Sequence, residues 1–201
     1  LTGESPVSKP ADIPSLLNQD GHFNDHANAF TKRYLLRKIS LEEIRKELDA
    51  QICKAMGRGL AISHLDGHQH IHMLPGIRRV VGELAHQYAT PSIRYPRERL
   101  HPYMLLERHG ISRLVQLLAL NTFCTIAKTA DARRPDTFVG FFFGGNLTEE
   151  NLIKVLNNLP ANGICELMCH PGLQDADSRY KHLGYPWQSE LDALTSPNVK
   201  M

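Results

Sequence analysis

Apolar residues recur at four- and three-residue steps through Ile44, Leu48, Ile52 and Ala55, behind Ser40-Leu-Glu-Glu43 and ahead of Gly57. A serine followed three residues later by glutamate caps a helix start, and the glycine stops the run, so this stretch predicts an amphipathic helix. The residues before it carry no such period. Across 1–25, Pro6, Pro10 and Pro14 interrupt the chain, which reads as a loop with one helical turn near 13–17, a turn at 18–21 and then a short helix over 30–36. The apolar run 60–64 predicts a short buried strand, and Pro75 suits the first turn of a helix carrying Ile77, Val80, Val81, Leu84 and Tyr88. Residues 92–95 predict another strand, stopped by Pro96; for Arg94 a surface ion pair with Glu98 is the alternative to a functional role. Residues 111–129 then predict a long buried helix, and 137–143 a strand ending at Gly144-Gly145. Thr148 caps a helix through Leu152, Val155, Leu156 and Leu159, with Leu147 placed to staple it. A last strand, 164–168, runs into His170-Pro171-Gly172.

Alternation of helices with short apolar strands predicts an α/β domain with a largely parallel sheet. Right-handed crossovers in such folds bring the carboxyl ends of the strands to one edge, where sites form. Three polar features each follow a predicted strand: the segment 64–72, Arg94 and His170.

Composition narrows the function. The chain has 201 residues, 42% hydrophobic and 22% charged, with a formal net charge of +2, which suits one globular domain over 1–201. That balance excludes a nucleic-acid partner held by phosphate contacts, so Arg97 with Arg99 and Arg133 with Arg134 read as solvated faces. Cys53, Cys124, Cys165 and Cys169 form no paired spacing, which predicts a reduced, cytoplasmic setting. No transmembrane segment is expected: the longest apolar candidate, 114–127, is interrupted by Gln116, Asn121 and Thr122.

The segment His64-Leu-Asp-Gly-His-Gln-His-Ile-His-Met-Leu-Pro75 holds four of the eleven histidines beside Asp66. Imidazole is a common ligand of divalent transition metals, and a nearby carboxylate ligates or orients it. In an extended chain His64, Asp66, His68, His70 and His72 share parity and face one way, until Gly67 breaks the regularity. The pattern predicts one or two ligands, one orienting group, and histidines that touch substrate or fill space; a histidine-rich surface loop is the alternative. With His170 as a proton donor and Arg94 as an oxyanion holder, these parts describe metal-assisted hydrolysis.

These residues also carry a family resemblance. The 64–75 segment resembles the H-x-D-[SG]-H-[QH]-H-x-H-x-x-P signature of the YdjC/ChbG-like carbohydrate deacetylases, and Glu166-Leu-Met-Cys-His-Pro171 is similar to that family's second signature. Ile93-Arg94 and the run 190–195 fit its pattern too, and 159–172 is most similar to the hopanoid-biosynthesis-associated branch, HpnK. The resemblance implies a distorted (β/α) barrel that removes the acetyl group from an N-acetylated amino sugar or glycolipid, using one divalent cation, magnesium or zinc. It implies His68 as a metal ligand, His170 as the proton-transferring histidine, and Arg94 as lining the acetyl or sugar pocket. Asp66 is then an orienting catalytic group, with His72 and Tyr95 at the substrate.

The family's early Asp-Asp pair and Gly-x-His segment have no counterpart in this sequence, and Leu1-Thr-Gly-Glu-Ser-Pro6 matches the residues after them. The expectation is therefore a chain truncated at both ends, an incomplete domain without its first strands, inactive by itself and prone to self-association through the gap. Two other readings stand beside the deacetylase. His68-Gln-His70 and His70-Ile-His72 each fit the H-x-H pattern of amidohydrolase-like and phosphoesterase barrels, and a non-catalytic carbohydrate-binding remnant would keep a sugar cleft alone.

Overall fold

A computed structural model describes residues 1, 5–23, 26–107, 110–127, 134–173 and 184–199. Thr129, Arg133 and part of the N-terminal loop, for which a helix end, a solvated basic pair and irregular chain were expected, lie outside the described residues. The chain forms two compact units, Leu1–Tyr95 with Phe123–Arg134, and Pro96–Thr122 with Pro135–Met201.

In the first unit the proline-rich start folds into two short 3-10 turns, Pro10–Asp12 and Pro14–Leu16, each opening on its proline. Helix α1 (Ala27–Leu35) follows, then α2 (Leu41–Met56), where Ser40 Oγ accepts the Glu43 N–H and Gly57 ends the helix as its spacing predicts. Helix α3 (Ile77–Gln87) begins two residues after Pro75, because Gly76, with φ +84°, is its cap. Pro75 instead lies in the bend before the helix, where its carbonyl accepts the Tyr34 hydroxyl. The inward faces of these elements meet in a core of Ile13, Leu16, Phe23, Phe30, Ile44 and Ile77, all 2% exposed or less. Glu47, buried on α2, accepts the Val7 and Ser8 N–H groups at 3.0 and 2.9 Å and so ties the N-terminal loop to that helix.

Where strands 60–64 and 92–95 were expected, the described residues show a parallel bridge, Leu65 to Ile93. Strand structure needs a partner backbone, and among the described residues the pairing of these two segments is one bridge long: Leu65 donates to Ser92 O and accepts from Arg94 N, both at 2.9 Å. Leu60 is 62% exposed, so 60–64 is not the buried strand that its apolar composition predicts.

The second unit holds α4 (Tyr103–Leu106), most of α5 (Gly110–Ile126), β1 (Thr137–Val139), α6 (Glu149–Leu156), β2 (Cys165–Leu167) and α7 (Trp187–Thr195). Strands β1 and β2 pair in parallel, Thr137 with Cys165 and Val139 with Leu167, with α6 as the crossover. The chain is thus mixed α/β with parallel strands, and its sheet is not closed among the described residues. Helix α6 starts where the sequence predicts, Thr148 Oγ1 accepting the Asn151 N–H and Leu147 buried behind it.

Strand β1 ends four residues early because the Glu98 carboxylate intervenes. Glu98 is 1% exposed and accepts the Gly140 and Phe142 N–H groups, each at 2.8 Å, which turns 140–142 away from the ladder. Burial pushes its carboxyl above the ordinary range against the pull of those N–H groups. Phe143 stacks on Tyr103 with centroids 5.8 Å apart, inside a core with Met104, Leu117, Leu147 and Leu152. Helix α5 buries Leu117 and Cys124 but leaves Ile111, Val115 and Leu118 exposed, so the helix is buried on one side only. None of the described helices is long and apolar enough to cross a membrane.

Gly140 has φ +101°, and a Cβ there would lie 2.3 Å from Met168 O. Gly140→Ala should destabilise the protein by more than about 1 kcal/mol, from the strained dihedral and the clash with β2 together. Urea denaturation checks this, and an unchanged midpoint would refute the close approach.

Candidate functional site

Gly67 opens the site. Residues His68–Met73 form a 3-10 turn, kinked where Gln69 and His70 take φ of +49° and +57°. Left-handed backbone at non-glycine residues costs on the order of 1–3 kcal/mol and persists where the surroundings hold it. Here the turn overrides the shared parity expected of an extended segment. His70 and His72 point inward, 8% and 3% exposed, whereas His68 is exposed.

His72 is held at both nitrogens. Its Nε2 lies 3.0 Å from Arg94 O, a carbonyl that can only accept, so Nε2 carries the proton. Nδ1 is then the lone-pair atom; it accepts the Gly67 N–H at 3.1 Å and lies 3.7 Å from Asp66 Oδ1. Burial holds this imidazole below the ordinary histidine range, which outweighs the Arg94 carbonyl and the Asp66 charge and keeps it neutral. Gly67 makes room for the ring, since a Cβ there would meet His72 Nδ1 at 2.8 Å.

Asp66 completes the group. Its Oδ1 accepts the Gly67 N–H at 2.8 Å, and its Oδ2 pairs with Arg94 Nη1. Asp66, His70 and His72 each offer a ligand atom, all within 4.8 Å of one another. Two imidazoles and a carboxylate are the donor set of a catalytic divalent site, and an imidazole whose other N–H donates to a backbone carbonyl is the arrangement that such ligands adopt. The residues present therefore fit a divalent cation.

The structure thus joins Asp66, His72 and Arg94 of the expected site and adds His70. His68 begins the turn without joining that group. Tyr95 donates its hydroxyl to Cys124 O at 2.7 Å, with the Arg134 guanidinium 4.6 Å above its ring.

His170 belongs to the second unit, three residues past β2. Its backbone N–H donates to Glu190 Oε2 at 2.6 Å, and its ring lies 4.8 Å from that of Tyr185. Glu190 is fully buried on α7, a position the sequence marks by the family resemblance of the run 190–195 and by its sharing the inward face with Ala193.

The YdjC family model, described as YdjC-like protein, matches residues 1–201. A chitooligosaccharide deacetylase of Yersinia enterocolitica is 32% identical over 166 residues, which are 81% of this chain and 56% of that protein. A carbohydrate deacetylase of Brevibacillus brevis is 28% identical over 207 residues, covering all of this chain and 68% of the relative. A crystal structure from Enterococcus faecalis V583, connected by its description with cellobiose-phosphate cleavage, superimposes with a TM-score of 0.68 at 26% identity. That match covers 98% of this chain and 66% of the other. The chain thus spans little more than half the length of the Yersinia relative and about two thirds of the other two.

Proposed function

This chain belongs to the YdjC-like family, and from that membership we propose that it serves in the hydrolysis of the acetamide of an N-acetylated amino sugar. Water and the N-acetyl group give acetate and a free amine. The observation that carries the reading is the grouping of Asp66, His70 and His72 beside Arg94, set against relatives described as carbohydrate and chitooligosaccharide deacetylases. A divalent cation, zinc or magnesium, when bound supplies Lewis acidity toward water and the amide oxygen.

The protein's own groups do the rest. Asp66 and the two buried imidazoles would hold the cation, and His72 keeps the proton on Nε2 because that N–H donates to Arg94 O. Arg94, anchored on Asp66, directs positive charge at the oxygen that gains charge in the transition state. His170 delivers the proton to the departing nitrogen. His68, exposed at the start of the turn, is the ligand that the family resemblance implies, and its contribution is part of the proposal. The finer assignments, a distorted barrel and the HpnK branch with a hopanoid-type glycolipid as substrate, rest on the resemblance of 64–75 and 159–172.

The test is acetate release by the full gene product from N-acetylglucosamine, chitooligosaccharides and N-acetylglucosaminyl lipids, after chelation and after return of zinc or magnesium. Release that vanishes with chelator and returns with metal is the expected result. Oligosaccharide binding without acetate under any metal would favour a carbohydrate-binding role, and phosphate release from sugar phosphates a different hydrolase.

A further inference from the structure

Glu190 has a role that burial alone does not explain. It lies on α7 with no exposed surface, and the Glu190 Oε2 that accepts the His170 N–H at 2.6 Å is also 3.8 Å from His170 Nδ1. Its second oxygen, Oε1, is buried and accepts no hydrogen bond among the described residues. A carboxylate removed from water is costly unless it is paired, and one backbone N–H is a small return for that cost. A glutamine, or an apolar side chain with a water, would secure the loop more cheaply. The rest of the surroundings hold the histidine in place. The Tyr185 ring packs 4.8 Å from the imidazole at 55°, and Gly172 N donates to Trp187 O at 3.2 Å, tying the segment after His170 to the first residue of α7. Backbone and ring are therefore held against one carboxylate.

We propose that Glu190 is the positioning residue for His170, keeping the imidazole in the tautomer protonated at Nδ1 and so presenting Nε2 for proton exchange with substrate. A small rotation of the imidazole closes the 3.8 Å approach into a hydrogen bond from Nδ1–H to the carboxylate. An imidazole in water favours the proton on Nε2, so the opposite tautomer needs an acceptor facing Nδ1, and Glu190 supplies one. This inference rests on the proposed role of His170 in proton delivery.

The deciding measurement does not depend on activity. Long-range proton–nitrogen correlation spectra of the 15N-labelled protein at pH 8.5 report which nitrogen of neutral His170 is protonated, with His170→Gln identifying the signals. Wild type should show the Nδ1–H form, and Glu190→Gln should move the ring toward Nε2–H while its amide oxygen still accepts the His170 N–H. Glu190→Asp, retaining the charge on a shorter stem, should restore the Nδ1–H form in part. In acetate release, Glu190→Gln should lower kcat by about 10–100-fold with KM within about twofold and zinc content unchanged. A wild-type ring protonated on Nε2, or an unchanged tautomer in Glu190→Gln, overturns the inference. Should Glu190→Gln fail to fold, the wild-type spectrum still decides. If no substrate yields acetate, the deacetylase reading fails, while the spectrum independently shows whether Glu190 sets the tautomer.

Discussion

Asp66→Asn should lower zinc affinity and acetate release together, each by about 10–100-fold, while leaving thermal stability nearly unchanged. The substitution keeps the shape of the side chain and an acceptor for the Gly67 N–H, but removes the negative charge that faces His72 Nδ1 and anchors Arg94. Isothermal titration with zinc and an acetate assay read the two losses separately. Lost activity at unchanged zinc affinity would make Asp66 an orienting group for Arg94 and remove it from the ligand set. His68→Ala beside His70→Ala then separates the ligand implied by family resemblance from the one grouped by the fold. His70 is buried within 4.8 Å of the other candidate ligand atoms, so the larger loss of zinc affinity is expected there.

The largest effect on stability is expected from Glu98→Ala. Its two carboxylate oxygens each take a backbone N–H at the end of β1, at 2.8 Å, and its own backbone is bracketed by Asn121 at 3.2 and 2.8 Å. Leaving two buried N–H groups without an acceptor costs about 1–3 kcal/mol each, so a loss of about 2–6 kcal/mol is expected. The sole tryptophan, Trp187, lies in the same unit and reports its unfolding by fluorescence. The pH dependence has a definite sign. Burial raises the carboxyl's pKa in the folded state, so over the window between the unfolded and folded values the folded protein binds the proton more tightly. The associated stabilisation is full below the unfolded value and is lost as pH rises through the folded one. The gap between wild type and Glu98→Ala should therefore widen from pH 7 to pH 4; a gap that narrows over this range would contradict the shift.

Local signals decided the elements that need no distant partner. Helix α2 was legible from Ser40, Glu43 and Gly57, and α6 from Thr148 and Leu147, because a cap and an apolar stripe act within a few residues. The order β1, α6, β2 was legible for the same reason, and the parallel pairing follows from the crossover helix. Strand lengths were not. Among the described residues the run 60–64 carries strand-forming residues but pairs only next to its end, at the Leu65 bridge, and 137–143 loses its second half to a carboxylate some forty positions earlier in the chain.

The sequence by itself determined that this is an α/β protein of the YdjC-like family with a His/Asp segment rich in metal-ligand chemistry, since residue types and their order carry that information. Tertiary structure decided which of those side chains face one another. The inward turn of His70 requires left-handed backbone, the tautomer of His72 requires the carbonyl of Arg94, and the setting of His170 requires a buried acid twenty residues further on. The last two depend on hydrogen bonds between segments far apart in the chain, whose partners only the folded backbone selects.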